Sequence, residues 1–256
     1  MSVKLQTTVF LAFCLSVVIL PIHADGILTI GVGISKPPYV VQEEDIGMEL
    51  EIVRRALEAG GYAMKPRYMQ VANIPHDLNA GIIDGGIHLK AHNTVDGFFS
   101  DHVIEYRNYA ISLAGSDEKL SVPSDLKGKS VVAFQNAHAN LGKEYAQAVQ
   151  GNPNYIELAD QALQVEMLAI GETEYIIADV RIFLHFKHAY ETASEAKFPP
   201  VKFHELFPPT PYRAAFRKRI VRDAFDLGLA ELRNTGEYDR IIKHYTNEDD
   251  LSVLSN

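Results

Sequence analysis

Cysteine is nearly absent from this chain of 256 residues: the one cysteine is Cys14, in an apolar segment near the N-terminus. A chain that loses this segment can form no disulfide, thiolate metal site or cysteine nucleophile. Basic residues are also few, with 24 Lys and Arg against 33 Asp and Glu, for a net charge of -9. We therefore expect neither nucleic acid nor an anionic membrane surface as a partner. The remaining composition, 47% hydrophobic and 22% charged, is that of an ordinary globular protein.

Long apolar stretches are lacking after the N-terminal one. Lys4 precedes the apolar stretch 9–20, Pro21 interrupts it, and Ala24 offers a small residue for cleavage. This layout predicts a secretory signal over residues 1–24, and the stretch is too short to cross a membrane. The alternative, a buried N-terminal helix, is disfavoured because no polar face interrupts the stretch. Export without cysteine suits a Gram-negative periplasm, where we expect a soluble protein.

The rest of the chain alternates between strand-like and helix-like patterns. Strands are predicted at 27–32, 63–71, 84–89, 106–113, 130–135, 155–158, 175–179 and 212–216. Helices are predicted from Gly47 to Gly60, from Asn73 to Gly81, over 141–149, after Asp160, through His188 and, at the C-terminus, over two more segments. Such alternation is typical of an α/β protein with mainly parallel sheets covered by helices.

Two segments predict crossings between two lobes. Five prolines fall within 199–211, where they favour extended backbone, and the long strand-like segment 106–116 precedes the second series of elements. We therefore expect lobe I to comprise residues 25–112 and 210–256, with lobe II, residues 113–209, inserted into it. No internal repeat is found.

Four segments of the sequence resemble a known family. They are KPPY at 36–39 followed by GMELE at 47–51; LNAGIID at 78–84 followed by FSD at 99–101; DLKGKSV at 125–131; and PYRAAF at 211–216 followed by LRNTGEYD at 232–239. In this order and spacing the chain resembles the bacterial extracellular solute-binding proteins of family 3. These are the polar amino-acid receptors of ABC transporters, and they have the type 2 periplasmic binding fold.

The resemblance implies a two-lobed protein that closes on a hinge around a small polar ligand. Its partner would be an inner-membrane permease, or a membrane signalling receptor if the protein is a sensor subunit. A monomer without a cofactor is expected. Ligands of open α/β sheets lie beyond the carboxyl ends of the strands, so the loops that leave those ends should converge on one cleft.

Two residues match ligand-binding positions of this family. Asp179, at the end of the strand 175–179, matches the aspartate that pairs with a ligand ammonium group, although Asp is also a favoured N-cap for the helix that follows. Tyr39 matches an aromatic residue that packs against the ligand, and a core tyrosine is the alternative.

The sequence departs from the family where the ligand carboxylate is usually bound. The family has an arginine after the third strand, but this chain has no arginine between Arg67 and Arg107, and Lys90 is a poor geometric substitute. The usual Gly-Thr or Gly-Ser pair is replaced in the segment 135–140, although Asn136 and His138 begin a helix there whose free N–H groups could still bind an anion. We expect an amine-bearing solute rather than an α-amino acid bound in the usual way.

Three histidines near the expected cleft, His88, His92 and His138, raise the question of a metal site. Their spacing is not that of helical metal ligands and no cysteine assists them, so we expect them to be hydrogen-bonding residues of the cleft instead. The sequence has no motif of a serine hydrolase, a phosphate-binding loop or a zinc protease, which disfavours an enzyme. The acids Glu49 and Glu51 are expected to be solvated on the first helix.

Overall fold

The computed structural model of the protein describes residues 26–115 and 118–246. The predicted signal segment 1–24 lies outside the described residues. Among the residues described, no helix combines the length and apolar character needed to span a membrane.

Two series of elements build two five-stranded sheets. The first series is β1 (Ile27–Gly33), α1 (Met48–Ala59), β2 (Ala63–Met69), α2 (Ile74–Asn79), β3 (Gly85–Leu89) and β4 (Phe98–Tyr106). The second is β5 (Asn108–Leu113), β6 (Val131–Phe134), α3 (Ala137–Asn140), α4 (Lys143–Val149), β7 (Tyr155–Leu158), α5 (Gln161–Ala169), β8 (Tyr175–Asp179), α6 (Val180–Ser194) and β9 (Val201–His204). The chain ends with β10 (Thr210–Phe216), α7 (Arg219–Asn234) and α8 (Glu237–Tyr245). Short 3₁₀ turns lie at 42–44, 71–73 and 123–126.

The first sheet has the order β2-β1-β3-β10-β4 and the second β7-β6-β8-β5-β9. The chain passes from the first sheet to the second at Arg107, between β4 and β5, and returns between β9 and β10. In the first sheet β1 runs parallel to β2 and β3, whereas β10 is antiparallel to its neighbours β3 and β4. In the second sheet β6 is parallel to β7 and β8, and β5 is antiparallel to β8 and β9.

The expectation of mainly parallel sheets was therefore wrong, because β10 in the first sheet and β5 in the second run antiparallel to both of their neighbours. The predicted strand 106–113 is confirmed over Asn108–Leu113 as β5, but its start was wrong, because Tyr106 ends β4 in the other sheet. Within the Pro-rich zone, Val201–His204 forms β9. Asn73 is the N-cap residue of α2, but its side chain makes no capping hydrogen bond.

The packing of α1 against α7 organises the largest core. Leu50, Val53 and Leu57 of α1 are fully buried, as their helical spacing predicts, and they share a cluster with Phe225 of α7. The two helices come very close at Gly228, where an added methyl group would collide with the carbonyl oxygen of Ala56. This packing holds the start of α1 in place beneath the loop that follows β1.

Candidate functional site

Asp179 lies at the carboxyl end of β8 and is 1% exposed. It is the N-cap of α6, and its Oδ1 accepts the backbone N–H of Arg181 at 3.0 Å and of Ile182 at 3.2 Å. Its Oδ2 accepts the N–H of Arg107, the residue at the crossing, at 2.8 Å. Burial raises the pKa of Asp179, although the Arg181 guanidinium and these hydrogen bonds oppose the rise. The capping role that the sequence left open is therefore present.

Tyr39 lies in the loop after β1, and its side chain contacts Asp179 at the end of β8. Its hydroxyl donates to Asp179 Oδ1 at 2.8 Å, and its ring stacks on Tyr106 with centroids 3.9 Å apart. The tyrosine is fully buried in the large core cluster, and burial raises its pKa well above the usual value. Tyr39 is therefore a core aromatic whose polar end reaches across to the second sheet.

Arg181 was missed by the sequence analysis. Its Nη1 donates to the carbonyl of Glu105 at 3.0 Å and to the Tyr39 hydroxyl at 3.4 Å, while its Nε is buried with no partner among the described groups. The sequence feature that could have identified Arg181 is its position two residues after Asp179, in the first turn of α6. It adds a buried positive charge to the contact between the two sheets.

Glu49 was expected to be solvated, and this was wrong, because its side chain is 1% exposed. The backbone N–H groups of Met48 and Glu49 donate to the carbonyls of Pro38 and Tyr39 at 2.9 and 3.0 Å. These bonds hold the first turn of α1 against the loop after β1, so that Glu49 faces inward. Glu51, in the next turn, is partly exposed and accepts the Tyr245 hydroxyl at 3.0 Å.

His88 pairs with Glu49 inside the first lobe. Its Nδ1 lies 3.0 Å from Glu49 Oε2, and its ring stacks on Tyr212 at 3.9 Å. The backbone of His88 has a φ of 60°, in the left-handed region that residues other than glycine rarely adopt. Desolvation lowers the pKa of His88, although Glu49 opposes this shift. The imidazole is therefore neutral near pH 7 and donates from Nδ1, because a carboxylate can only accept.

A small pocket of about 20 Å³, partly open to solvent, lies beside this pair. Residues of the first series line it: Gly33, Ile34, Lys36, Val40, Glu49, Val71, Ile87, His88 and Tyr106. Lys36 was not singled out from the sequence beyond the KPPY segment. Its ammonium lies 5.7 Å from the Tyr106 ring centroid, and burial lowers its pKa, with Glu49 and Asp179 acting in the opposite direction.

Lys90 follows β3 directly and makes a second contact between the two halves. Its Nζ donates to Asn140 Oδ1, at the end of α3, at 2.9 Å, and it lies 5.8 Å from the Tyr212 ring centroid. Partial burial lowers the pKa of Lys90. The loop after β3 and the helix after β6 therefore meet, as expected from strand ends that face one cleft.

The helix that begins near Asn136 does not offer the free N–H groups that we expected. The backbone N–H groups of Asn136 and His138 donate to Glu157 at 2.7 and 2.8 Å, and His138 Nδ1 lies 2.8 Å from Glu157 Oε1. Glu157 occupies this anion site because it projects from the adjacent strand β7. His92 is exposed in the loop after β3. No group of three potential metal ligands forms within the described part of the chain.

No family model matches the chain, and no curated protein matches its sequence. Solved structures match its fold. An ancestral arginine-binding protein bound to glutamine has a TM-score of 0.64 at 20% identity, over 88% of this chain and 100% of that one. The GluR0 ligand-binding core in complex with L-glutamate has a TM-score of 0.67 at 14% identity, over 86% and 98%. A histidine kinase sensor domain similar to periplasmic binding proteins has a TM-score of 0.64 at 17% identity, over 86% and 96%. The chain thus has the two-lobed α/β fold of type 2 periplasmic binding proteins.

Proposed function

We propose that this protein belongs to the family 3 solute-binding proteins and captures a small, polar, amine-bearing solute between its two lobes for an ABC transporter. The observation that carries the proposal is the pair of polar contacts between the lobes, Tyr39 with Asp179 and Lys90 with Asn140. Asp179 also accepts the backbone N–H of Arg107 at the crossing, where a hinge would lie. A closed cleft of this kind excludes water and strengthens the polar contacts to a solute inside it.

The charges of the cleft support an amine-bearing solute. Two carboxylates, Glu49 and Asp179, are each only 1% exposed, and the loop after β3 carries Lys90 in place of the family's arginine. Lys90 is already bonded to Asn140, so it is a weak candidate for binding a ligand carboxylate in the usual place. Export to the periplasm, from the predicted signal segment, fits this role.

Sensing is the second candidate, and the likeness to a histidine kinase sensor domain favours it. The same cleft would serve both roles, since each requires only that the solute stabilise the closed form. Loss of radiolabelled solute uptake in cells without the gene separates transport from sensing. Incubation of the protein with each solute should yield no product in either case.

Calorimetric titration and small-angle X-ray scattering test solute capture. The protein would be titrated with ethanolamine, putrescine, γ-aminobutyrate, arginine and glutamine. Its radius of gyration would be compared with and without each of these solutes. Capture predicts binding of at least one amine-bearing probe together with a smaller radius. The variant Asn140→Ala should weaken binding several-fold because it removes the Lys90 contact. The control variant Asn154→Ala changes an exposed asparagine just before β7 and should leave the affinity unchanged. Binding with an unchanged radius, or equal affinity in both variants, would contradict closure.

A further inference from the structure

Basic residues concentrate at the start of α7, although the chain as a whole has a net charge of -9. The segment 217–220 consists of three cations and an isoleucine (RKRI), all exposed. None of the three cations forms an ion pair within the described residues: Arg217 donates to the carbonyl of Gly81 at 3.4 Å, and Arg219 lies 5.1 Å from the Phe98 ring centroid. The helix dipole opposes cations at a helix N-terminus, so these charges do not stabilise α7.

Acidic residues near this end of the lobe do not pair with the three cations. Asp84 Oδ2 accepts the backbone N–H of Thr29 at 2.9 Å, and Asp223 pairs with Arg222 at 2.7 Å. Asp96 is exposed just before β4 and forms no ion pair among the residues that the structure describes. The positive charge of the segment is therefore available to an anionic partner.

The register of the first sheet shows on which end of lobe I the segment lies. Gly85 of β3 lies opposite both Ile30 of β1 and Phe216 of β10. Ile27, three residues before Ile30, and the segment 217–220, directly after Phe216, therefore lie beyond this level at the same end of the sheet. This is the amino end of β1 and β3, whereas the loops at their carboxyl ends contact the second lobe.

Isoleucine side chains are exposed beside the cations. Ile220, within the segment, is 69% exposed, and Ile27 is 71% exposed. Ile82 is 47% exposed and directly follows Gly81, whose carbonyl accepts from Arg217. Cations next to exposed aliphatic residues are typical of surfaces that lie on anionic lipid, because the charges pair with headgroups while the aliphatic side chains enter the interface.

The chain that precedes β1 connects this end of the lobe to a membrane. The described residues start at Gly26, and the apolar stretch 9–20 lies only a few residues earlier in the sequence. The predicted signal enters the membrane during export, so this end of lobe I would emerge beside the lipid surface. An acidic protein could also pair with the cations, but the position of this stretch favours lipid.

We infer that this end of lobe I, formed by the segment 217–220 with Ile27 and Ile82, is a face that docks on an anionic lipid surface. The net charge led us to expect no such partner, but acidic residues more than about 10 Å away are largely screened at roughly 0.1 M salt. The inference goes beyond solute capture and does not depend on it. In this orientation the cleft faces away from the lipid.

Vesicle sedimentation of the full chain tests the docking. Vesicles of phosphatidylcholine alone are compared with vesicles of equal parts phosphatidylcholine and phosphatidylglycerol. A net negative charge should repel the protein from the anionic vesicles, so tighter binding to them, lost at high salt, is expected only from a local basic face. The stretch 9–20, where retained, contributes equally in all variants. Equal binding to both kinds of vesicle, or to neither, would overturn the inference.

Charge variants locate the contact. Changing Arg217, Lys218 and Arg219 together to Gln should weaken binding to the anionic vesicles about a hundredfold, since each basic residue near such a surface contributes roughly fivefold. The matched control changes the net charge equally by replacing three exposed lysines of the second lobe: Lys127→Gln, Lys143→Gln and Lys197→Gln. The control should bind nearly as tightly as the wild type. Equal losses in both triple variants would show that only net charge matters.

An apolar substitution and solute titration complete the test. Ile220→Ser should weaken vesicle binding several-fold, whereas Ile170→Ser, which changes an isoleucine that is 56% exposed in the second lobe, should not. Thermal melts verify folding of each variant. The basic triple variant should bind solutes as the wild type does, which separates docking from solute capture. A triple variant that still binds anionic vesicles normally would overturn the docking face and leave solute capture standing.

Discussion

The two buried carboxylates near the crossing are of the same chemical kind and are equally hidden from water, at 1% exposure each, yet they have opposite surroundings. Asp179 is surrounded by donors from α6, from the crossing at Arg107 and from Tyr39. Glu49 has the imidazole of His88 on one oxygen and, among the residues that the structure describes, no donor on the other. The difference arises because Asp179 sits at a helix N-terminus, where backbone N–H groups are free to donate, whereas Glu49 projects from the side of α1 into a pocket.

This comparison distinguishes a carboxylate whose two oxygens both accept hydrogen bonds from one that has an unused acceptor among the described residues. Buried charges generally need donors, and the donors of Asp179 are parts of the protein that must be ordered in the native state. Glu49 leaves one acceptor unused at a cost in stability. Costs of this kind are commonly found at functional sites. The two residues should therefore respond to mutation in opposite ways.

The largest expected effect is the loss of stability in Asp179→Ala. The change removes the cap of α6 and leaves the donors of Arg107 and Tyr39 without their acceptor. We therefore expect the free energy of unfolding to fall by about 3 kcal/mol. Asp160→Ala is the matched control, because the side chain of Asp160 caps α5 on the surface by accepting two backbone N–H groups, and it accepts no other hydrogen bond within the described ranges. Urea denaturation should show a much smaller loss for the control. Equal losses would mean that Asp179 acts only as a cap.

Amide substitutions test the contrast directly. Asp179→Asn keeps one acceptor oxygen but turns an NH₂ group toward a donor, which should cost about 1–2 kcal/mol. Glu49→Gln keeps the oxygen that faces His88 and removes a charge whose other oxygen has no donor, so the stability should be unchanged or slightly higher. Both are measured by the same urea denaturation. A larger loss for Glu49→Gln than for Asp179→Asn would reverse the assignment of roles.

The sequence could predict the part of this comparison that depends on local pattern. The helical spacing of Leu50, Val53 and Leu57 predicts α1, and the strand followed by Asp179 predicts both the capping position and its place at a strand end. The orientation of Glu49 could not be predicted, because α1 is rotated by contacts with α7 and with the loop after β1. These contacts connect residues that are far apart in the chain. The pairing of Tyr39 with Asp179, 140 residues away, depends on how the lobes close.

The smallest effect that we expect is the titration of His88, which reports on the charges around Glu49. The pKa of His88 is lowered below the usual 6.5 by burial and by Lys36 and Lys90, while Glu49 opposes the shift. Between 6.5 and that lower value the unfolded chain binds the proton and the folded chain does not, so stability falls as the pH is lowered through this interval. NMR titration of the imidazole should give a pKa below 6.5, lower still in Glu49→Gln and higher in Lys36→Gln. A His88 that titrates above 6.5, or that does not respond to either variant, would show that Glu49 and Lys36 are not the charges that determine the electrostatics of the pocket.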